Sequence, residues 1–192
     1  MTPRRTFSED HLRRLRHLHA VSDGYGRHRH LYLHDTMRRL ATAFAEARGG
    51  RPTLLGYGCG KGQFLAEMRR LDLFAEIDGY DPGFAAFQAP PSRRHDVVTC
   101  LDVLDAAEPR FLPAVVEDVA RLTGYTAIFD CLTKPAAKSG FAPHPAFYWT
   151  RIVENAMSVL RIDMHFLGLD GFERAVILAA PQALSPSGPP AP

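Results

Sequence analysis

The chain is poor in the features that would commit it early to a class. Among its 192 residues stand only three cysteines, Cys59, Cys100 and Cys131, an odd number set far apart, each in an apolar or glycine-rich run. That excludes a disulfide framework and a CxxC metal site, and it suits a reducing compartment. No apolar run approaches the roughly 20 residues of a membrane-spanning helix, so no membrane partner is expected. Charge of one sign is also lacking: 23 lysines and arginines against 21 acids leave a formal +2. Nucleic acid is therefore not indicated. The N-terminal TPRRTF carries an arginine pair, but the following SEDHLRRLRHLHA is polar and basic where an export signal would be apolar. A cytoplasmic protein is the expectation. No internal repeat is visible.

What is present reads as one soluble domain. With 46% hydrophobic and 23% charged residues, a chain of this length buries roughly 70% of its unfolded surface. Ser8 before Glu9 and Asp10, with Phe7 placed to pack on Leu12, predicts a helix start, and the helix runs to about Ala20. After the SDGYG break, Leu33, Met37, Leu40, Phe44 and Ala47 recur at helical spacing up to Gly49 and Gly50. Residues 1–50 thus form a helical preface. From there PTLLGY, AEIDGYD, HDVVTCLDVL and YTAIFDCL read as strands, separated by GQFLAEMRRL and EPRFLPAVVEDVARL as helices. That order predicts parallel pairing with right-handed crossovers. In VLRIDMHFLG, Leu160, Ile162, Met164 and Phe166 alternate with Arg161, Asp163 and His165; the turn GLDG and FERAVILAA complete an antiparallel hairpin. The expected architecture is α/β, a mostly parallel sheet over 51–181 with helices on both faces and an antiparallel C-terminal hairpin. Residues 182–192, rich in proline and serine, are expected to be a disordered tail.

The chemistry points to TLLGYGCGKGQF, where Gly56, Gly58, Gly60 and Gly62 occupy every second position after a strand and before a helix. Such a loop lets the backbone approach a ligand closely. A phosphate-gripping P-loop needs Ser or Thr after GxxxxGK, and here Gly62 follows Lys61. A dinucleotide fingerprint needs a third glycine five places after the first, where this chain has Lys61, Gln63 or Leu65. The spacing Gly58-x-Gly60-x-Gly62 suits a nucleoside without a pyrophosphate.

At these residues the chain resembles the class I S-adenosylmethionine-dependent methyltransferases. LLGYGCGKG resembles their first motif, GYDP the acidic end of their second strand, and DVVTCLDVLDAAEP their fourth-strand motif. The likeness spans about residues 50 to 180. It is strongest to bacterial and phage members with YGCGKG, YDP, a DVL strand end and a later segment here represented by Pro135, Ala136, Lys138 and Trp149. The resemblance implies a Rossmann-like sheet and S-adenosylmethionine as cofactor. Gly58, Cys59, Gly60 and Gly62 would pack on its methionine and ribose portions, Asp81 with Pro82 would meet the ribose hydroxyls, and Cys100 and Leu101 would flank the adenine. Asp102 would lie at the reacting end. Asp105 and His144 are the candidate bases, and the preface, with Tyr25 and Gly26 in its break, would fold over the cofactor as a lid.

Two departures stand against this pattern. Gly56 occupies a position where the family usually has an acid, and Asp105-Ala106 replaces an expected Glu-His pair. They motivate an alternative function, a catalytically degenerate scaffold or regulatory subunit; a nicotinamide dehydrogenase ranks below both. The methyl acceptor is unidentified, with a small molecule, sugar or peptide favoured. Plainer readings exist for each residue: Asp81 before Pro82 as a turn-former, Asp102 and Asp105 as helix caps, His144 as a solvated loop residue, Tyr148 and Trp149 as core. The cluster His28, Arg29, His30, His34 has no acid or cysteine spaced for a metal and reads as a solvated helix face.

Overall fold

Local chemistry sets the ends of the preface helices in the computed structural model, which describes residues 6–134, 143–167 and 172–182. The segment of Pro135, Ala136 and Lys138, the GLDG turn and the tail from 183 lie outside the described residues. Helix α1 (Glu9–Val21) begins where Ser8 Oγ accepts the His11 N–H at 3.1 Å, with Glu9 and Asp10 at the positive end of the helix. Helix α2 (His34–Arg48) follows a single 3-10 turn, Leu31–Leu33, and stops at Gly49, whose φ is +74°. It buries Met37, Leu40, Ala41 and Phe44, whereas Ala47 is exposed.

Strands β1 (Thr53–Tyr57), β2 (Glu76–Tyr80), β3 (His95–Leu101) and β4 (Thr123–Leu132) alternate with α3 (Gln63–Leu71) and α4 (Leu112–Leu122). Helix α5 (Ala146–Glu154) then leads to β5 (Met157–Leu167) and β6 (Phe172–Pro181). The six strands lie in the order β2-β1-β3-β4-β6-β5. The first four pair in parallel, and β6 pairs antiparallel with both β4 and β5. Near-continuous apolar runs such as Val97, Val98 and Cys100 are what a sheet covered on both faces requires. One face carries α4 and α5 over Leu55, Tyr57, Val98 and Phe129, closed at one end by Phe7; the other carries α2 and α3 over Leu54, Val97, Ile128 and Val176. Each such side chain contributes about 1.5–3 kcal/mol on burial. Trp149 is core, fully buried with its indole N–H donating to Leu132 O at 3.0 Å.

The structure departs from the sequence reading in two places. The strand that the resemblance counts as fourth is third in this chain, because residues 81–94 form only a short 3-10 turn, Ala85–Phe87, between β2 and β3. In β5 the alternation is real but its sense is unexpected. Ile162, Met164 and Phe166 point to the same side as Ile177 and Ala175, yet at the sheet edge they remain 42%, 40% and 74% exposed. Asp163 and His165, on the opposite side, are half-buried.

Candidate functional site

The chain reverses direction across the sheet between β1 and β3, and at such a switch point the loops beyond the strand ends leave a crevice. The glycine loop after β1 forms its floor. Gly58, Gly60 and Gly62 have φ of +70°, +56° and +77°, which side chains with a Cβ rarely adopt. Every N–H from Gly58 to Gly62 is already used. Gly58 and Cys59 donate to Tyr80 O at 2.7 and 3.1 Å, Gly60 to Asp81 Oδ2 at 2.8 Å, Lys61 to Gly26 O at 2.7 Å and Gly62 to Cys59 O at 2.9 Å. A pyrophosphate would need several of these donors free. The loop suits a ligand that packs against its backbone and takes its polar contacts elsewhere.

Asp81, at the end of β2, is buried; its Oδ2 holds Gly60 N and its Oδ1 holds Gly83 N at 2.8 Å, with His19 Nε2 3.7 Å away. It therefore organises two loops at once, more than the turn-former of the plainer reading, and it still borders the cavity. That cavity opens to solvent and, with its mouth, spans about 850 Å³ of empty space. Gly58, Cys59, Gly60, Asp81, Pro82, Leu101 and Asp102 line it, as do Tyr25 and Gly26 from the preface. Gly60 meets Gly26 directly: a Cβ on Gly60 would lie 2.5 Å from Gly26 O. Gly62 is buried against Phe87, and its Cβ would meet that ring at 2.8 Å.

Four predicted residues do not reach the cavity wall: Gly62, packed against Phe87, and the three that follow. Cys100 is fully buried beneath it, its side chain in the α4 and α5 core, and Thr99 and Leu101 border the space in its stead. His144 stacks on Tyr148 at 4.1 Å between ring centroids and does not line the crevice. Asp105 is buried behind Asp102: Oδ2 accepts Leu132 N–H at 3.1 Å and Oδ1 has no partner. Burial first, and the charge of Asp102 next, push its carboxyl up to about 7, against the opposing pull of Arg174.

Residues that sequence reasoning missed stand in the wall and behind it. His30, read as part of a solvated helix face, has a side chain only 8% exposed, with Nε2 3.5 Å from Asp102 Oδ2 and Nδ1 3.4 Å from Asp130 Oδ2. His28 Nδ1 lies 4.0 Å from the same Asp102 oxygen. Tyr32 donates its hydroxyl to Asp130 Oδ2. Arg174 Nε donates to Asp130 Oδ1 at 2.7 Å, and its Nη2 reaches Asp102. Burial works against the Asp130 charge, but His30 and Arg174 outweigh it and hold the carboxyl below its ordinary range. Burial, then the Asp130 charge, drives the Tyr32 hydroxyl well above its ordinary range, so it stays protonated. One signal was available: Asp130 is the single charge inside the otherwise uncharged β4. Among the described residues no group of histidine, cysteine and acid side chains is arranged to hold a metal.

A mostly parallel sheet with this strand order, a glycine loop whose donors are internally satisfied and an acid ending β2 define a class I methyltransferase-type fold. The sequence profile of a family described as a methyltransferase domain matches residues 25–132, and the chain belongs to that family. Among solved structures, it is similar to the magnesium protoporphyrin IX methyltransferase of Synechocystis with bound SAM (17% identity, 90% of this chain and 98% of that one, TM-score 0.61). It is also similar to the 1,6-didemethyltoxoflavin-N1-methyltransferase of Burkholderia thailandensis (12% identity, 91% and 90%, TM-score 0.64). The N-methyltransferase NodS of Bradyrhizobium japonicum, in complex with S-adenosylhomocysteine, gives 12% identity, 91% and 100% coverage and a TM-score of 0.60. At these identities the likeness is one of fold. A comparison with curated proteins gives no match.

Proposed function

We propose that the protein is a methyltransferase that takes its methyl group from S-adenosylmethionine and delivers it to a small-molecule acceptor. The observation that carries this reading is the glycine loop itself: its five N–H groups are satisfied within the fold, Gly58, Cys59 and Gly60 line the cavity, and a carboxylate stands at the rim, an arrangement that suits a nucleoside without phosphates. The backbone of Gly58, Cys59 and Gly60 would support the methionine and ribose portions. Asp81 would receive the ribose hydroxyls on its remaining lone pairs, with Pro82, Leu101 and Val103 forming apolar wall for the adenine. The cofactor, when bound, supplies an already activated methyl group on a sulfonium. The chain's own task is to align the acceptor, hold a countercharge at Asp102 and exclude water.

Residues 1–50 serve as the lid in this reading. Gly26 O receives Lys61 N–H at 2.7 Å, and Lys61 Nζ donates to Ser22 O at 2.7 Å. A cytoplasmic location agrees with the free thiols, and the YGCGKG, YDP and DVL motifs support a kinship with bacterial and phage members. The scaffold alternative loses ground because the cavity is open where the ligand would sit.

Calorimetry with S-adenosylmethionine and S-adenosylhomocysteine tests the reading. Micromolar binding of both is expected. No heat and no thermal shift at millimolar ligand would overturn it.

A further inference from the structure

The two edges of the sheet are finished differently. Strand β2 is five residues long, and its acids Glu76 and Asp78 are both held by Arg93, with Asp78 also 2.8 Å from His95 Nε2. Phe87 closes over the same strand, since a Cβ on Gly79 would lie 2.9 Å from its ring. Short length, charge and a covering loop are the means by which a soluble sheet keeps an edge from pairing. Strand β5, at the other end of the order, is eleven residues long, and among the described residues no strand pairs with its outer side. Its register shifts between Val159 and Arg161, so residues 161–166 form an unbroken edge. Ile162, Met164 and Phe166 stand there in an exposed row on the α5 side, and Phe147, near the start of α5, is a further exposed apolar side chain.

What this edge fits follows from its own sequence. About a two-fold axis, two antiparallel copies of one strand set each residue against the one equally far beyond the centre, and opposed side chains share a face. With the centre at Met164, Met164 meets itself, Ile162 meets Phe166 of the second copy, and Asp163 meets His165 of the second copy. The first two pairs bring every side chain of the apolar row against another. The third sets a carboxylate opposite a ring that carries at least one N–H in either protonation state. Neighbouring centres lose this match. A centre at Asp163 opposes two carboxylates, one at His165 opposes two imidazoles, and one at Ile162 runs the irregularity between Val159 and Arg161 into Met164.

We infer that the protein forms a symmetric dimer in which β5 pairs antiparallel with β5 of a second copy, centred on Met164, so that the two sheets join into one. The pairing covers the apolar row and gives the outward N–H and C=O groups of β5 partners on protein, as strand addition does elsewhere. None of these residues lines the cavity. The dimer therefore stands or falls independently of the methyltransferase reading.

Sedimentation equilibrium of the full-length protein over about 1–100 μM is expected to show twice the 21.3 kDa chain mass, with a Kd at or below about 10 μM, the weak end for specific interfaces. Met164→Lys sets two ammonium groups against each other on the axis and should weaken the dimer by about 30-fold or more, with the circular dichroism spectrum unchanged. Phe166→Lys, at the most exposed of the three positions, repeats the test where the fold has least to lose. Copper-catalysed oxidation reads the register. Met164→Cys should cross-link to itself. Ile162→Cys, about 14 Å from its own counterpart and beyond the ~7 Å reach of a disulfide, should cross-link only when mixed with Phe166→Cys. A monomer at the highest concentration overturns the inference. So does a dimer that both lysine variants leave intact, or self-cross-linking that is faster at Ile162→Cys than at Met164→Cys.

Discussion

At the scale of single residues, burial decides what each acid does. Asp105 has no partner for Oδ1, and its carboxyl is pushed up to about 7. Below about pH 4 the folded and unfolded chains both hold the proton, and the group costs nothing. Between about 4 and 7 the unfolded chain ionises while the folded one does not, so stability falls as pH rises, and above 7 the penalty stays constant. Urea unfolding of Asp105→Asn should match the parent within about 1 kcal/mol near pH 4 and exceed it by on the order of 2–4 kcal/mol at pH 8. A parallel pH dependence in both proteins would refute this. Asp81 behaves differently, since each of its oxygens holds a backbone N–H. Asp81→Asn retains an acceptor and a similar shape, so the fold should survive while S-adenosylmethionine affinity drops by about 1.5–3 kcal/mol, the scale of hydrogen bonds to a charged group. Gly56 shows where resemblance misleads. The family's acid needs space that neighbouring side chains already fill here. A Cβ at that position would lie 2.7 Å from Leu65 Cδ2 and 3.1 Å from Cys59 Cβ. Gly56→Asp should therefore lower stability by about 1–3 kcal/mol without improving affinity, as calorimetry and urea unfolding together would reveal.

At the scale of elements, the preface is tied to the glycine loop by backbone, not only by side chains. Gly26 has φ +70°, and a Cβ on it would come 2.6 Å from His19 Cε1 and 3.1 Å from Gly60 Cα. Gly26→Val should detach α1 from the loop. We expect S-adenosylhomocysteine affinity to fall by about tenfold, near 1.4 kcal/mol, and limited proteolysis to cleave the preface even with ligand present. Undiminished protection would show that the preface is no lid. The same contact holds Gly60 to glycine: a side chain there strikes Gly26. Alternation in β5 was readable, but which set faces solvent depended on how far α5 extends over the sheet. Nothing in the strand itself reports that.

At the scale of the whole molecule, ligand and fold are linked by mass action. A 10 μM site at 1 mM ligand stabilises by about 2.7 kcal/mol. For a chain of this size that raises the melting temperature by about 5–10 °C, measurable by calorimetric melting with and without S-adenosylhomocysteine. A smaller effect from the product than from an unrelated nucleoside would speak against a dedicated site.

The sequence by itself determined the order of the strands and of α1 to α4, though not α5, because apolar period and glycine breaks are local signals. It also located the loop of Gly58, Gly60 and Gly62 and the acid Asp81, whose meaning lies in a short spacing after a strand. Tertiary structure alone decided the rest. His30, Asp102, Asp130 and Arg174 are up to 144 residues apart in the chain, and they meet because β3, β4 and β6 are neighbours and the preface crosses their ends. Periodicity shows that a charged residue sits in an apolar strand. It does not show which opposite charge will stand beside it, since that partner is supplied by pairing between distant strands.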